Sequence, residues 1–213
     1  MRNFVAAVLL VSFAGGICPQ AATYFVRDGD NFGNLDLKGD DRFFMTGGEG
    51  WFLTLYDESA AIIEGTKWAP TFMGAIFQIG ALDRSTVSIS GGVVYSVILR
   101  GSSIVNVSGG ELASIQLGDQ GTVHIYGGSF DDALEVRGGG CLIHVYGLDL
   151  RIEKDFNVDT IKGIWSDGTI VDIPLWSRFG YNTRDYVVLH EIPEPATLLL
   201  MGLGTFLLHR GRG

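Results

Sequence analysis

Between Ser85 and Tyr146, apolar and polar residues alternate in short bursts, and each burst runs into glycine. Thr86-Val87-Ser88-Ile89 precedes Gly91-Gly92, and Ile104-Val105-Asn106-Val107 precedes Gly109-Gly110. Thr122-Val123-His124-Ile125 precedes Gly127-Gly128, and Leu142-Ile143-His144-Val145 precedes Gly147. Alternation with a period of two marks half-buried strands. Val87, Val105, Val123 and Ile143 are separated by 18, 18 and 20 residues. A repeat near that length indicates a solenoid, because one unit cannot bury its apolar face alone and stacked units bury it together.

Another phrase falls between the first ones. Val97-Ile98-Leu99, Ile115-Gln116-Leu117 and Leu134-Glu135-Val136 recur at intervals of 18 and 19 residues, followed by Gly101, Gly118 and Gly138. Each coil therefore carries at least two short strands joined at glycine-rich corners. The predicted fold is all-β, a parallel β-helix (β-solenoid) with coils of 18 to 20 residues. Val87/Ile89, Val105/Val107, Val123/Ile125 and Ile143/Val145 point inward. Ser88, Asn106, His124 and His144 form one outward column, and Ser90, Ser108, Tyr126 and Tyr146 form the next. The glycine pairs meet corners that need positive φ or close backbone approach.

The flanking chain follows the pattern less regularly. Tyr24 to Lys38 is polar and glycine-rich, and Phe43 to Gly65 holds a degenerate coil or two, with Phe52-Leu53-Thr54-Leu55 alternating. Trp68 to Met73, around Pro70, reads as an insertion before Ile76-Phe77-Gln78-Ile79 restarts the pattern. Ile79 precedes Val97 by 18 residues, which puts it in the second strand column. After Leu150 the register changes. Ser166-Asp167-Gly168-Thr169, between apolar runs, predicts a hairpin in which Asp-Gly tolerates the positive φ angles of a type I′ turn. Tyr186 to Leu189 reads as a last strand. Together these elements form a C-terminal β cap over an otherwise exposed apolar cross-section.

Composition supports a turn-dense β fold: 46% of residues are hydrophobic and 31 are glycine, about twice the usual glycine share. The net charge is −9. Removing Arg2, Arg210 and Arg212 with the two ends makes the middle more acidic still, the opposite of a nucleic-acid surface. Of the two cysteines, Cys18 lies in the leader and Cys141 stands alone at a corner, which argues against a disulfide framework. Cys141 is expected to be a small buried hydrophobe.

The ends carry an address. Residues 1–22 have the layout of a signal peptide: Arg2, an apolar stretch from Phe4 to Ala14, and Ala21-Ala22 near the cut. Residues 23–192 are then the exported solenoid and its cap. The chain closes with Pro193-Glu194-Pro195, an apolar run from Ala196 to Leu208, and Arg210 and Arg212. As a helix that 13-residue run spans about 20 Å, short of a bilayer core of about 30 Å. The basic residues at both ends place them in the cytoplasm.

This tail resembles the PEP-CTERM sorting signal of bacterial surface proteins. The resemblance covers residues 193–213 and rests on Pro193, Glu194, Pro195, Arg210 and Arg212. It implies export by a Gram-negative bacterium, a precursor held transiently in the inner membrane, and processing by signal peptidase and exosortase. Delivery to the cell surface, outer envelope or exopolysaccharide matrix follows, with exopolysaccharide as the expected partner. The resemblance fixes a location and leaves the activity open.

Candidate chemistry is sparse, and no residue is assigned as catalytic, cofactor-binding or metal-ligating. His124, Tyr126, His144 and Tyr146 form a surface strip, which as aromatic residues with polar tips suits a sugar ring. A stacked ladder that only stabilises the coils is the alternative. Asp131, Asp132 and Arg137 are the compact set that a small polysaccharide lyase or hydrolase of the β-helix type would use. Asp28-Gly29-Asp30-Asn31-Phe32-Gly33 begins like a calcium loop, but Phe32 and Gly39 occupy ligand positions, so an Asx-turn cluster is expected.

Overall fold

The structure is a computed structural model that describes residues 21–65 and 76–192. Its strands, in chain order, are β1 (Thr23–Val26), β2 (Asn31–Leu37), β3 (Arg42–Met45), β4 (Glu49–Leu55), β5 (Ala60–Ile63), β6 (Ile76–Ala81), β7 (Thr86–Ile89) and β8 (Val93–Leu99). These continue as β9 (Ile104–Leu117), β10 (Thr122–Phe130), β11 (Leu134–Val136), β12 (Leu142–Asp155), β13 (Val158–Ile164), β14 (Ile170–Trp176) and β15 (Val187–Glu191). Residues 1–20 of the expected signal peptide, and the short apolar tail expected to be helical, lie outside the described residues.

The predicted parallel β-solenoid is present. One face stacks β1, β3, β5, β7 and the first halves of β9, β10 and β12 in parallel. The other stacks β2, β4, β6, β8, the second half of β9, and then the end of β10 with β11. In the register of the first face, Thr23 meets Arg42, Ala60, Thr86, Ile104, Thr122 and Leu142 in turn. Successive coils therefore measure 19, 18, 26, 18, 18 and 20 residues. The 26-residue coil contains the insertion expected around Pro70, which itself lies outside the described residues. Tyr24 to Lys38, read from sequence as a polar stretch, is a full coil. Pairing with β3 and β4 supplies the partners that its own weak alternation does not signal, and Val26, Phe32 and Leu37 turn inward.

The inward pairs behave as predicted: Val87, Ile89, Val105, Val107, Val123, Ile125, Ile143 and Val145 are buried. They join Ile79, Val97, Ile115 and Leu134 from the other face in one continuous core. Burying each such side chain contributes about 1.5–3 kcal/mol.

The glycine pairs divide their labour. A Cβ on Gly91, Gly109 or Gly127 would lie 2.3, 2.5 or 2.7 Å from a carbonyl oxygen of the coil before. Their successors Gly92, Gly110 and Gly128 adopt φ of 84°, 89° and 104°. A third repeated phrase, invisible to the alternation, marks the opposite corner. Asp57, Asp83 and Asp119 hold φ of 56°, 55° and 54°, a region Asp tolerates better than most residues. Gly39 N–H donates to Asp57 Oδ2 (3.0 Å), Asp57 N–H to Asp83 Oδ2 (3.3 Å) and Gly101 N–H to Asp119 Oδ2 (3.2 Å). These carboxylates tie three pairs of successive corners, and between Asp83 and the Gly101 corner the link is a backbone bond from Ser102 N–H to Asp83 O.

The predicted hairpin cap is present as the antiparallel pair β13–β14, and the structure extends it to a three-stranded meander, because β12 runs on beyond its coil and pairs antiparallel with β13. The positive-φ pair of a tight hairpin sits at Phe156-Asn157 (43° and 74°), not at Asp167-Gly168. At the latter only Gly168 has positive φ. Gly168 N–H donates to Trp165 O and Trp165 N–H to Thr169 O, giving a longer loop with a glycine bulge. Asp167 accepts from the Thr169 N–H and hydroxyl, which favours that loop. β14 then rejoins the second face beside β11, and β15 adds a last parallel rung to the first face beside β12.

Candidate functional site

The four residues of the predicted strip come together. His124 and His144 are register partners on β10 and β12, with ring centroids 4.8 Å apart and nearly parallel. Tyr126 stacks on Tyr146 at 4.4 Å. His124 Nδ1 lies 3.2 Å from the Tyr146 hydroxyl, which joins the two columns. The register with β9 shifts between Ile125 and Gly127, so Ser108, expected in the Tyr126 column, pairs with Gly127 instead, and Tyr126 is 42% exposed.

The structure adds a fifth member. His190, on β15, is the register partner of Tyr146 and stacks on its ring at 4.4 Å. Its Nε2 lies 2.9 Å from Nδ1 of His144. Sequence reasoning missed it because the cap meander separates β15 from its coil. The available signal was the alternation of Tyr186 to His190, which aligns His190 with Tyr146 once β15 is treated as another rung.

Burial lowers the pKa of His124, and the charge of a protonated His190 would lower it further. His144 is lowered by burial and then by His124 and His190. Burial, with the neighbouring Tyr126, raises the Tyr146 phenol. The strip is thus an aromatic shelf, its His124 and His144 biased toward the neutral form, rimmed by hydroxyl and ring nitrogen groups and able to stack on an apolar ring face and hydrogen-bond its hydroxyls.

The Asp131, Asp132 and Arg137 set does not assemble. Arg137 donates through Nε and Nη2 to Glu135 Oε2, at 3.0 and 2.8 Å, and its guanidinium lies over Phe179. Glu135 is 4% exposed, and its Oε1 has no partner among the described residues. Asp131 is exposed. The Asp132 carboxyl is raised by burial, opposed by the charge of Arg178 and reinforced by Glu135. Its counter-charge is therefore Arg178, which stacks on Trp176 at 4.0 Å. Sequence reasoning identified neither Glu135 nor Arg178 here.

The calcium-like phrase forms the β1–β2 turn. Arg27 N–H donates to Asp30 Oδ2, Asp30 N–H donates to Arg27 O, and Gly29 has φ of 88°. Cys141 is buried, with Sγ 3.4 Å from Gly138 O, in the corner position that Ser59, Ser85 and Ser103 hold in earlier coils. Among the described residues no three His, Cys, Asp or Glu side chains converge as metal ligands.

At the other end of β15, Ile192 N–H donates to Gly147 O, and the Glu191 carboxylate accepts from the N–H groups of Asp149 and Leu150. Residues 191–212 match the family model of the PEP-CTERM protein-sorting motif. The chain carries a PEP-CTERM sorting signal. Pro193, Glu194, Pro195, Arg210 and Arg212 fall within the match and outside the described residues. No curated protein and no solved structure matches the chain.

The PEP-CTERM signal marks an exported protein processed at the membrane by an exosortase. Its first residues, Glu191 and Ile192, belong to the last rung of the solenoid, so the signal follows the folded body without a linker. His190 precedes the matched segment by one residue, which places the aromatic shelf at the tail end of the rod. Among the described residues no helix is long and apolar enough to cross a membrane.

Proposed function

We propose that this protein is a non-catalytic structural and adhesive β-solenoid of the cell surface or exopolysaccharide matrix of a Gram-negative bacterium. Signal peptidase releases it near Thr23. The tail holds the precursor in the inner membrane until exosortase cuts near Pro193-Glu194-Pro195. The mature rod then binds exopolysaccharide through the shelf of His124, Tyr126, His144, Tyr146 and His190. The observation that carries this reading is the sorting signal beginning in the last rung, directly beside that shelf. Stacked aromatic rings with polar tips match the apolar face and hydroxyls of a sugar.

The reading as a polysaccharide lyase or hydrolase needs Asp131, Asp132 and Arg137 in one site. Arg137 is instead engaged with the buried Glu135. Turnover of an acidic glycan panel that disappears in an Asp131→Ala/Asp132→Ala variant would reinstate it.

The test of the main reading is the intact mass and cell fraction of the protein in the producing bacterium. A product that begins near Thr23, ends near Pro193 and lies outside the inner membrane is expected. A full-length C-terminus retained in the inner membrane would make the tail a plain anchor and remove the support for a matrix role.

A further inference from the structure

A separate aromatic array lies on the other face of the rod. Trp51 on β4, Phe77 on β6 and Tyr95 on β8 occupy one outward column, fixed by the registers of Gly50 with Ile76, Phe52 with Gln78, Ile76 with Val94 and Gln78 with Ser96. Trp51 and Phe77 have ring centroids 6.4 Å apart, and Phe77 stacks on Tyr95 at 5.2 Å with planes 6° apart. Phe52 meets the Phe77 ring edge-on at 5.6 Å. Trp51 and Tyr95 are each 45% exposed. The column has small residues at both ends: Gly33, beside which a Cβ would meet open space, and Ala113.

A packing ladder explains Phe77, which is half-buried, but not the exposed ring at each end. Large exposed apolar patches mark interaction sites. The next outward column supplies polar groups: Asn34, Gln78 and Ser114 hold the positions on either side of Phe52 and Ser96. No hydrogen bond engages the Asn34, Gln78 or Ser114 side chain among the described residues. Neither Lys nor Arg occurs in the segments 31–34, 49–52, 76–78, 93–96 and 111–114, whereas Glu49 and Glu111 lie within them. An anionic ligand would meet repulsion here, on a chain of net charge −9. Successive rungs advance about 4.8 Å, close to the length of one pyranose unit, so a sugar chain along the rod axis stays in step with the rings.

We propose that Trp51, Phe77 and Tyr95, with Asn34, Gln78 and Ser114 beside them, form a second glycan-binding platform for a neutral polysaccharide lying along the solenoid. Apolar pyranose faces stack on the ring column, and hydroxyls bond to the amide and hydroxyl side chains. The platform shares no residue with the His–Tyr shelf and needs no assumption about sorting. With a platform on each face, one rod joins two polysaccharide chains.

The test is affinity electrophoresis of the full-length chain in mild detergent, in gels containing hydroxyethylcellulose, galactomannan, dextran or alginate. At least one neutral polymer should retard the protein in a Tyr126→Ala/Tyr146→Ala background. Adding Trp51→Ala/Tyr95→Ala should weaken that retardation about tenfold or more, the loss expected on truncating a central aromatic contact. If the doubly truncated platform loses the β-sheet circular dichroism of its parent, the single change Tyr95→Ser, at an exposed position, decides instead. Unchanged retardation after these substitutions overturns the proposal. So does alginate binding of equal, Trp51-dependent strength, or self-association through Trp51 with no neutral polymer bound.

Discussion

His144 Nδ1 and His190 Nε2 lie 2.9 Å apart, a hydrogen bond in which one imidazole donates and the other accepts. Two imidazolium ions cannot share it, since neither facing nitrogen would then carry a lone pair. The bond joins the last rung, β15, to the body of the solenoid, and the Tyr146–His190 stack reinforces it. The end that carries the sorting signal is therefore closed by a bond that needs at least one neutral imidazole.

Acidification should loosen this end. The folded pKa values of His124 and His144 lie below their ordinary value of 6.5, by burial first and neighbouring imidazoles second. A depressed histidine pKa means that the unfolded chain binds protons more readily. The stabilisation is fully present above about pH 6.5 and is lost as pH falls through the lower folded values. The urea midpoint should fall between pH 7.5 and 5.5, and should fall less in a His144→Gln/His190→Gln variant. An equal fall in both proteins would show that other groups govern the acid response.

Close approach at the glycine corners predicts a graded response to one methyl group. In Gly109→Ala the new Cβ would lie 2.5 Å from Ser90 O, a backbone atom that cannot move without shifting its coil. Overpacking of this kind costs about 1–3 kcal/mol. Gly139, with nothing within 4 Å of an added Cβ and no positive φ, is the control, and Gly139→Ala should stay within about 0.5 kcal/mol of the parent. Denaturant titrations of both variants measure the contrast.

Much of this architecture is legible in the residues from Thr86 to Tyr146, because there each coil repeats its inward pair at nearly constant spacing. Val105 and Ile115 can be placed on their faces by counting, and so can His124 above His144. The first coils are harder: the 26-residue coil between Ala60 and Thr86 breaks the count. That break also hides the Trp51–Phe77–Tyr95 column, since Phe77 can be set beside Trp51 only when the register across the insertion is known. His190 is hidden differently, as the β13–β14 meander separates it by 46 residues from His144. The Asp57, Asp83 and Asp119 corners leave no trace in hydrophobic alternation, because their role is a backbone angle and a side-chain-to-backbone hydrogen bond.

Stacking of coils sets the reach of a core defect. Ile125 is buried on the first face, between the rungs of Val107 and Val145. Ile125→Ala should cost about 2–5 kcal/mol. Because each coil touches only its neighbours, the defect should lower protection of the coils on either side more than that of β1 and β3. Hydrogen exchange resolved by peptide reads this directly, and uniform loss along the rod would contradict it.

The cap hangs on one hydroxyl. Thr183 is fully buried in the short 3-10 turn Thr183–Tyr186 that precedes β15. Its Oγ1 donates to Trp176 O on β14 and accepts from Val136 N–H on β11 at 3.1 Å, while its own N–H donates to the Ser177 hydroxyl. Thr183→Val keeps the volume and removes both hydroxyl bonds, leaving a buried N–H and a carbonyl without partners. Such orphaned groups cost about 1–3 kcal/mol each. The loss acts where the chain turns back toward β15, so the His144–His190 bond should weaken with it. Faster amide exchange at Val136 together with faster exchange across β15 is the expected result. Faster exchange at Val136 alone would show that the last rung is held by its own pairing with β12.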